Sequence, residues 1–189
     1  MANSKAGSDP RETAQQPSPQ DEPALRAAIT DAAAAVRRYL FGMCGRWELA
    51  EDLAQEALLK AWSRRDSFGG RCDVRTWIFT IARNHWLDAL RKKRLARTQD
   101  GSAMEQVADN LPPVHHSLAH AEMAAALAKA VAGLPEEQRE ALALRESEGL
   151  TFNQIAELTN VPAATVKSRV RYALLKLADE LAAFRGGIA

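Results

Sequence analysis

The stretch Thr151–Leu177, TFNQIAELTNVPAATVKSRVRYALLKL, limits what this chain can fold into more than any other. Thr151 with Gln154 three residues on is a capping box, and a capping box starts a helix. Ile155 and Leu158 give that helix an apolar face, and Ala156 is small enough to let a second helix come close. Thr159-Asn160-Val161 breaks it. Pro162 suits a new helix start, because the N–H it lacks would have no partner in a first turn. The stretch therefore predicts two short helices joined by a tight turn.

The second of these helices sorts its side chains by period. Val166, Val170, Ala173, Leu174 and Leu177 fall on one side at helical spacing. Lys167, Ser168, Arg171 and Tyr172 fall on the other, with Arg169 on the flank. Hydroxyl, basic and aromatic groups outward and β-branched groups inward suit a helix laid in a DNA major groove. The same pattern also describes an ordinary helical hairpin with a solvated basic face.

Charge distribution bears on that choice. The net charge of the 189 residues is only +1, which argues against a histone-like binder. The charge is uneven, however. Between Arg64 and Arg97 basic residues crowd the chain, opposed only by Asp66, Asp73 and Asp88. A local excess of this kind is the electrostatic footprint expected for nucleic acid. Cys44 and Cys72 lie far apart and form no CxxC pair, so neither a disulfide framework nor a zinc ribbon is expected. No apolar run approaches membrane-spanning length and no secretory signal pattern opens the chain. A soluble, cytoplasmic protein is expected.

Residues 1–23 are rich in Ser, Gln, Pro and charge, which predicts a disordered tail. Ala24–Gly45 reads as a helix with Leu25, Ile29, Ala32, Val36, Tyr39 and Leu40 at core spacing. Glu48–Arg65 reads as a second, with Leu49, Leu53, Leu58, Ala61 and Trp62 inward. On it Asp52, Gln55, Glu56 and Leu59 share one face, either a solvated surface or a docking surface for a basic helix. Asp66–Arg75 carries Gly69-Gly70 and reads as a loop. Phe68 within it can stack on an unpaired base or tuck into the core. Thr76–Arg94 reads as a long helix with Ile78, Phe79, Ala82, Trp86 and Ala89 inward. Thr80, Asn84, Asp88 and Arg91 form its polar stripe, which beside Trp62, Trp77 and Trp86 fits single-strand capture. The cluster Arg91–Arg94 also suits a helix C-terminus.

Leu95–Ser117, with Pro112-Pro113 and weak periodicity, reads as a linker. Fully extended it reaches about 75 Å, or about two turns of B-DNA at roughly 34 Å per turn. His115, His116 and His120 invite a metal hypothesis, but no carboxylate or cysteine set completes a site, so no metal is expected. Leu118–Gly133 reads as an amphipathic helix with Met123, Leu127 and Val131, and Glu136–Glu148 as another, ended by Gly149. The last helix continues to Gly186-Gly187.

Taken in order, these stretches resemble the extracytoplasmic-function (ECF, group IV) sigma factors of bacterial RNA polymerase. The carriers are DLAQEALLKAW at Asp52–Trp62, FGGRCDVRTWIFTIARNHWLDALRKKR at Phe68–Arg94, LPEEQREALALRESEGLTFNQIAELTNVP at Leu134–Pro162, and ATVKSRVRYALLKL at Ala164–Leu177. The resemblance covers about Ala24 to Ala183. It implies an all-α protein of two small helical domains joined by a flexible linker. Residues 24–95 would be sigma region 2 and 118–185 sigma region 4, with a linker over 96–117 and tails at 1–23 and 186–189.

The resemblance also implies roles. Asp52, Gln55, Glu56 and Leu59 would dock on the β′ clamp of core RNA polymerase. Phe68, Arg75, Thr80, Asn84, Asp88 and Arg91 would bind and melt the −10 element, Phe68 and Asn84 lining the pocket for a flipped base. Extruding a base costs a few kcal/mol, so such a pocket has to stack and hydrogen-bond it. Thr165, Lys167, Ser168, Arg169, Arg171 and Tyr172 would read the −35 element as duplex. Core polymerase, promoter DNA and an anti-sigma factor are the implied partners, with no cofactor, no enzymatic activity and no membrane insertion. Two departures matter: Ala164-Thr165 stands where the family usually has Gly-Thr, and Tyr172 where it often has a basic residue. The competing expectation is an autonomous helix-turn-helix regulator of duplex operator DNA, which would need neither a docking face nor a single-strand pocket.

Overall fold

The computed structural model describes residues 21–100 and 118–186, with side chains described over 21–96 and 122–182. The expected tail up to residue 20, most of the expected linker, and His115 and His116 lie outside the described residues. His120 falls in a helix, without a described side chain. All regular structure among the described residues is helical.

Three long helices build the first module: α1 (Glu22–Cys44), α2 (Trp47–Ser63) and α3 (Val74–Asp100). Asp21 caps α1 by accepting from the Ala24 N–H at 3.1 Å. Gly45 ends it at φ 69°, a backbone shape other residues rarely take, and its N–H donates to the Phe41 carbonyl. α2 buries a line of small residues, Ala50, Ala54, Ala57 and Ala61, and so lies close against α1. Leu25, Val36, Tyr39, Leu40, Ile78 and Phe79 close the core. Tyr39 meets the Phe79 ring edge-on at 5.6 Å between centroids, an arrangement aromatic quadrupoles favour.

Two sequence expectations change here. The expected loop Asp66–Arg75 is shorter than its glycines suggested, because a 3₁₀ turn occupies Arg65–Ser67 and α3 already begins at Val74. Asp73 Oδ1 accepts from the Arg75 and Thr76 N–H groups and caps that start. At its other end α3 runs on to Asp100, so the first residues assigned to the linker continue the helix.

The second module comprises α4 (Leu118–Ala132), α5 (Glu136–Leu142), α6 (Phe152–Thr159) and α7 (Ala163–Gly186). The capping box at Thr151 is fully formed: the Thr151 N–H donates to Gln154 Oε1 at 2.8 Å, and the Gln154 N–H donates to Thr151 Oγ1 at 3.2 Å. Asn160, in the left-handed region at φ 56°, makes the turn into α7. Ile155, Leu158, Val166, Val170, Ala173 and Leu177 are buried together. Leu174 and Leu127, both expected inward, are 47% and 43% exposed. Leu174 lies one residue past the Val170–Ala173–Leu177 line, about 100° around the helix from Ala173 and so off the buried face.

The helix expected over Glu136–Glu148 is not regular. A π-helical turn spans Ala143–Ser147, and the Glu148 N–H donates to the Ala143 carbonyl five residues back at 3.2 Å. In a regular α-helix, positions eight apart differ by about 80° around the axis. The wider turn takes back most of that lag. It thereby lets Glu140 and Glu148 face the same neighbour, the first module.

That neighbour receives both carboxylates. Glu140 accepts from the buried Tyr39 hydroxyl at 3.0 Å and from Arg83 through a fork, Nε to Oε1 at 2.8 Å and Nη2 to Oε2 at 3.3 Å. Glu148 accepts from Arg38 at 3.1 Å and Arg75 at 3.4 Å. With α6 packed on α3, and α5 and the π turn on α1, the two modules are clasped together.

Candidate functional site

The first candidate surface is the outer face of α2. Because the helix turns its alanines inward, Asp52, Gln55, Glu56 and Leu59 all project into solvent. Leu59 is 68% exposed, the most exposed large apolar side chain among the described residues. Glu56 has a neighbour beneath it: its Oε2 lies 2.9 Å from Nε2 of His85 on α3.

The second lies along α3. Asn84 and Arg91 are exposed on one stripe with the half-buried Thr80 and Asp88. The Thr80 hydroxyl donates to the Thr76 carbonyl at 2.8 Å, and Arg91 pairs with Asp88 at 3.0 Å. Beyond them Arg91, Lys92, Lys93 and Arg94 form an exposed basic cluster. Two residues expected on this surface are elsewhere. Phe68 is 2% exposed and packs on Trp77 at 5.2 Å between centroids, so it anchors the loop and presents no open stacking face here. Burying a phenyl ring gains about 1.5–3 kcal/mol, which an exposed ring forgoes. Arg75 points into the second module, held by Glu148 and resting over the Phe79 ring at 5.7 Å. The tryptophans expected to flank a single-strand groove also serve the fold. Trp86 is buried, Trp77 backs Phe68, and Trp62 carries the guanidinium of Arg65 at 4.6 Å.

The third is the outer side of α7. Lys167, Ser168, Arg171 and Tyr172 are exposed, Tyr172 by 57%, while Thr165 and Arg169 are half-buried. The Ser168 hydroxyl turns back to the Ala164 carbonyl at 3.0 Å. The Lys167 ammonium sits 5.6 Å from the Phe152 ring centroid, and Arg145 lies 4.7 Å from the same ring. Phe152 and Arg145 thus extend this basic surface, although sequence reasoning did not include them. Phe152 is the first residue after the α6 cap, and its nearness to Lys167 depends on how α6 crosses α7.

Sequence reasoning also missed Arg38, Arg83, Glu140 and Glu148. A glutamate in LPEEQREALALRESEG carries no local mark of burial, and the π turn that aligns the two has none either. Among the described residues no group of His, Cys, Asp and Glu is arranged to hold a metal ion. No helix among them is long and apolar enough to cross a membrane.

Comparison with known proteins bears on the family of the chain. The family model for Sigma-70 region 2 matches residues 29–96, and that for Sigma-70, region 4 matches residues 124–177. The chain is 35% identical over 154 residues to the ECF RNA polymerase sigma factor EcfG of Rhodopseudomonas palustris, covering 81% of this chain and 82% of that one. It is 33% identical over 162 residues to the ECF RNA polymerase sigma factor RpoE of Cereibacter sphaeroides, covering 85% and 88%. Among solved structures it is similar to the sigma factor RpoE of Bartonella quintana in complex with the anti-sigma factor NepR. That match has a TM-score of 0.71 and 30% identity, over 82% of this chain and 95% of the other. With both regions matched in order and both halves helical, this chain belongs to the ECF RNA polymerase sigma factors of the sigma-70 family.

Proposed function

We propose that this sigma factor, working in the cytoplasm as a non-catalytic initiation subunit, docks on core RNA polymerase through Asp52, Gln55, Glu56 and Leu59. Promoter-directed initiation is the function of its family, and the site assignments are our reading of the three surfaces. The observation that carries the docking assignment is the α2 face, where carboxylates and an amide surround an apolar side chain 68% open to water. An apolar group ringed by charge suits a protein partner. Asn84, with Thr80, Asp88 and Arg91 along the stripe, would engage the −10 element. Lys167, Arg171 and Tyr172, flanked by Thr165, Ser168 and Arg169, would read the −35 element.

Arg75 and Phe68 fit this reading only after a rearrangement. Glu148 has to release Arg75 before a phosphate can take it, and Phe68 has to leave Trp77 before it can stack on a base. The clasped modules are in this sense a form that promoter DNA would open. An anti-sigma factor as regulator is supported by the NepR complex of the Bartonella relative. The autonomous-regulator alternative, in which the N-terminal half would serve as a dimerisation or ligand domain, is not favoured, because that half matches sigma region 2.

Co-purification with core RNA polymerase, followed by transcription from a genomic fragment library, tests the reading. Stable core binding and transcripts that share an upstream pattern are expected. Asp52→Ala combined with Gln55→Ala should abolish co-purification while the helical fold persists; unchanged core binding would overturn the docking assignment.

A further inference from the structure

His85 is buried between α2 and α3 and belongs to none of the surfaces assigned above. Its ring bridges two α2 side chains one helical turn apart. Nδ1 lies 2.6 Å from the Lys60 ammonium, and Nε2 lies 2.9 Å from Glu56 Oε2. An ammonium has only donors to offer, so Nδ1 must present its lone pair. The ring proton therefore belongs on Nε2, the side of the Glu56 carboxylate. The Nε2 approach is close but is not aligned as a full hydrogen bond, so the neutral ring presents its N–H dipole to the carboxylate. Glu56 is 63% exposed at its side chain, and a long exposed carboxylate has many rotamers. A fixed group beneath it selects among them, as outer partners orient functional side chains elsewhere.

We propose that His85 is a positioning residue for polymerase docking: its neutral ring, wedged against Lys60, holds the Glu56 carboxylate on the docking face of α2. This rests on the docking reading of that face. The charged groups around the ring are Glu56 and Lys60 from α2 and Asp88 from its own helix. Burial, with the Lys60 charge adding to it, holds the imidazole below its ordinary value, against the pull of Glu56 and Asp88. Acidification puts a second proton on a ring that already faces an ammonium. It breaks the Lys60 contact and adds positive charge beneath an acidic docking face, so core binding weakens.

The test is equilibrium competition for core RNA polymerase by the full chain and its variants, between about pH 7.5 and pH 5, a range carried below the ordinary imidazole value because burial lowers this one. His85→Leu should weaken core binding about three- to tenfold, the size expected when one charge contact is lost. In a Glu56→Gln background the same change should add almost nothing, because linked residues are non-additive. His85→Gln keeps a donor towards Glu56 without titrating. It should hold wild-type affinity at neutral pH and lose the acid-induced weakening, and it serves equally where His85→Leu does not fold. Equal losses from His85→Leu in both backgrounds, or an acid response unchanged in His85→Gln, would overturn the proposal. If Glu56→Gln, and Asp52→Ala with Gln55→Ala, all bind core normally, the docking reading fails and the proposal with it. If they weaken binding while the histidine variants do not, only the positioning role fails.

Discussion

The Tyr39 hydroxyl donates to Glu140 Oε1 at 3.0 Å, joining residues 101 apart in the chain within a buried contact. Burial and the facing carboxylate push the tyrosine hydroxyl well above its ordinary value, so it stays a donor at every physiological pH. The Arg83 fork takes the rest of that carboxylate. Glu140→Ala leaves a buried hydroxyl and a largely buried guanidinium without their partner, which costs about 3 kcal/mol or more. Tyr39→Phe leaves Glu140 its arginine and should cost only about 1 kcal/mol. Urea unfolding of the three proteins checks this order, and a Glu140→Ala cost equal to that of Tyr39→Phe would contradict it.

Glu148 behaves differently. Burial pushes its carboxyl above the ordinary value of 4.5, and Arg38 and Arg75 only partly oppose that. Both arginines are about half exposed, so they regain water if the contact is lost. A raised native value means that the folded protein binds this proton more readily than the unfolded chain does. The stability from Glu148 is fully present below the unfolded value and fades as pH rises through the folded one. Glu148→Gln removes that dependence. Its stability relative to wild type should therefore rise between about pH 4 and pH 7. Urea midpoints of both proteins at each pH test the sign; a relative stability that falls over this range would refute it.

Phe68 and Asn84 should separate cleanly in experiment. Phe68→Ala empties a packed site against Trp77 and should destabilise the first module by about 3–5 kcal/mol. Asn84 is exposed, so Asn84→Ala should change stability by no more than about 0.5 kcal/mol. Asn84→Ala should still impair promoter opening, with core binding intact. Permanganate footprinting of the open complex, read beside thermal unfolding, distinguishes the two; normal opening by Asn84→Ala would remove it from the −10 surface.

Lys167 and Arg171 should each weaken −35 duplex binding when changed to Ala. A base-edge contact is worth about 1–3 kcal/mol and relaxes one promoter position, whereas a phosphate contact lowers the salt slope by about one. Titration of duplex at several salt concentrations sorts the two residues. Unchanged affinity and unchanged slope for both would take α7 off the DNA.

Much of this molecule is written in short-range pattern. The Thr151–Gln154 capping box, the Asn160 turn, the inward line Val166–Val170–Ala173–Leu177 and the exposed α2 face all follow from spacings within a few residues. Each is a local choice between one helix face and another, which periodicity reports directly. Phe68 was open to two fates in the sequence, and only packing against Trp77 chose between them. Leu174 shows the converse, an apolar residue at helical spacing left 47% exposed because it falls off the buried line of α7. The clasp of Glu140 and Glu148 on Tyr39, Arg83, Arg38 and Arg75 joins positions 57 to 110 apart. It depends on a π turn that brings both carboxylates to one side. A buried ion pair needs its partner in place before burial is favourable, and that partner is supplied by the crossing of helices. The sequence by itself therefore determined the helices and the outward faces that mark a sigma factor. The tertiary structure alone decided which charges are held between the modules and which stay exposed, because only the crossing of helices brings the paired ones together.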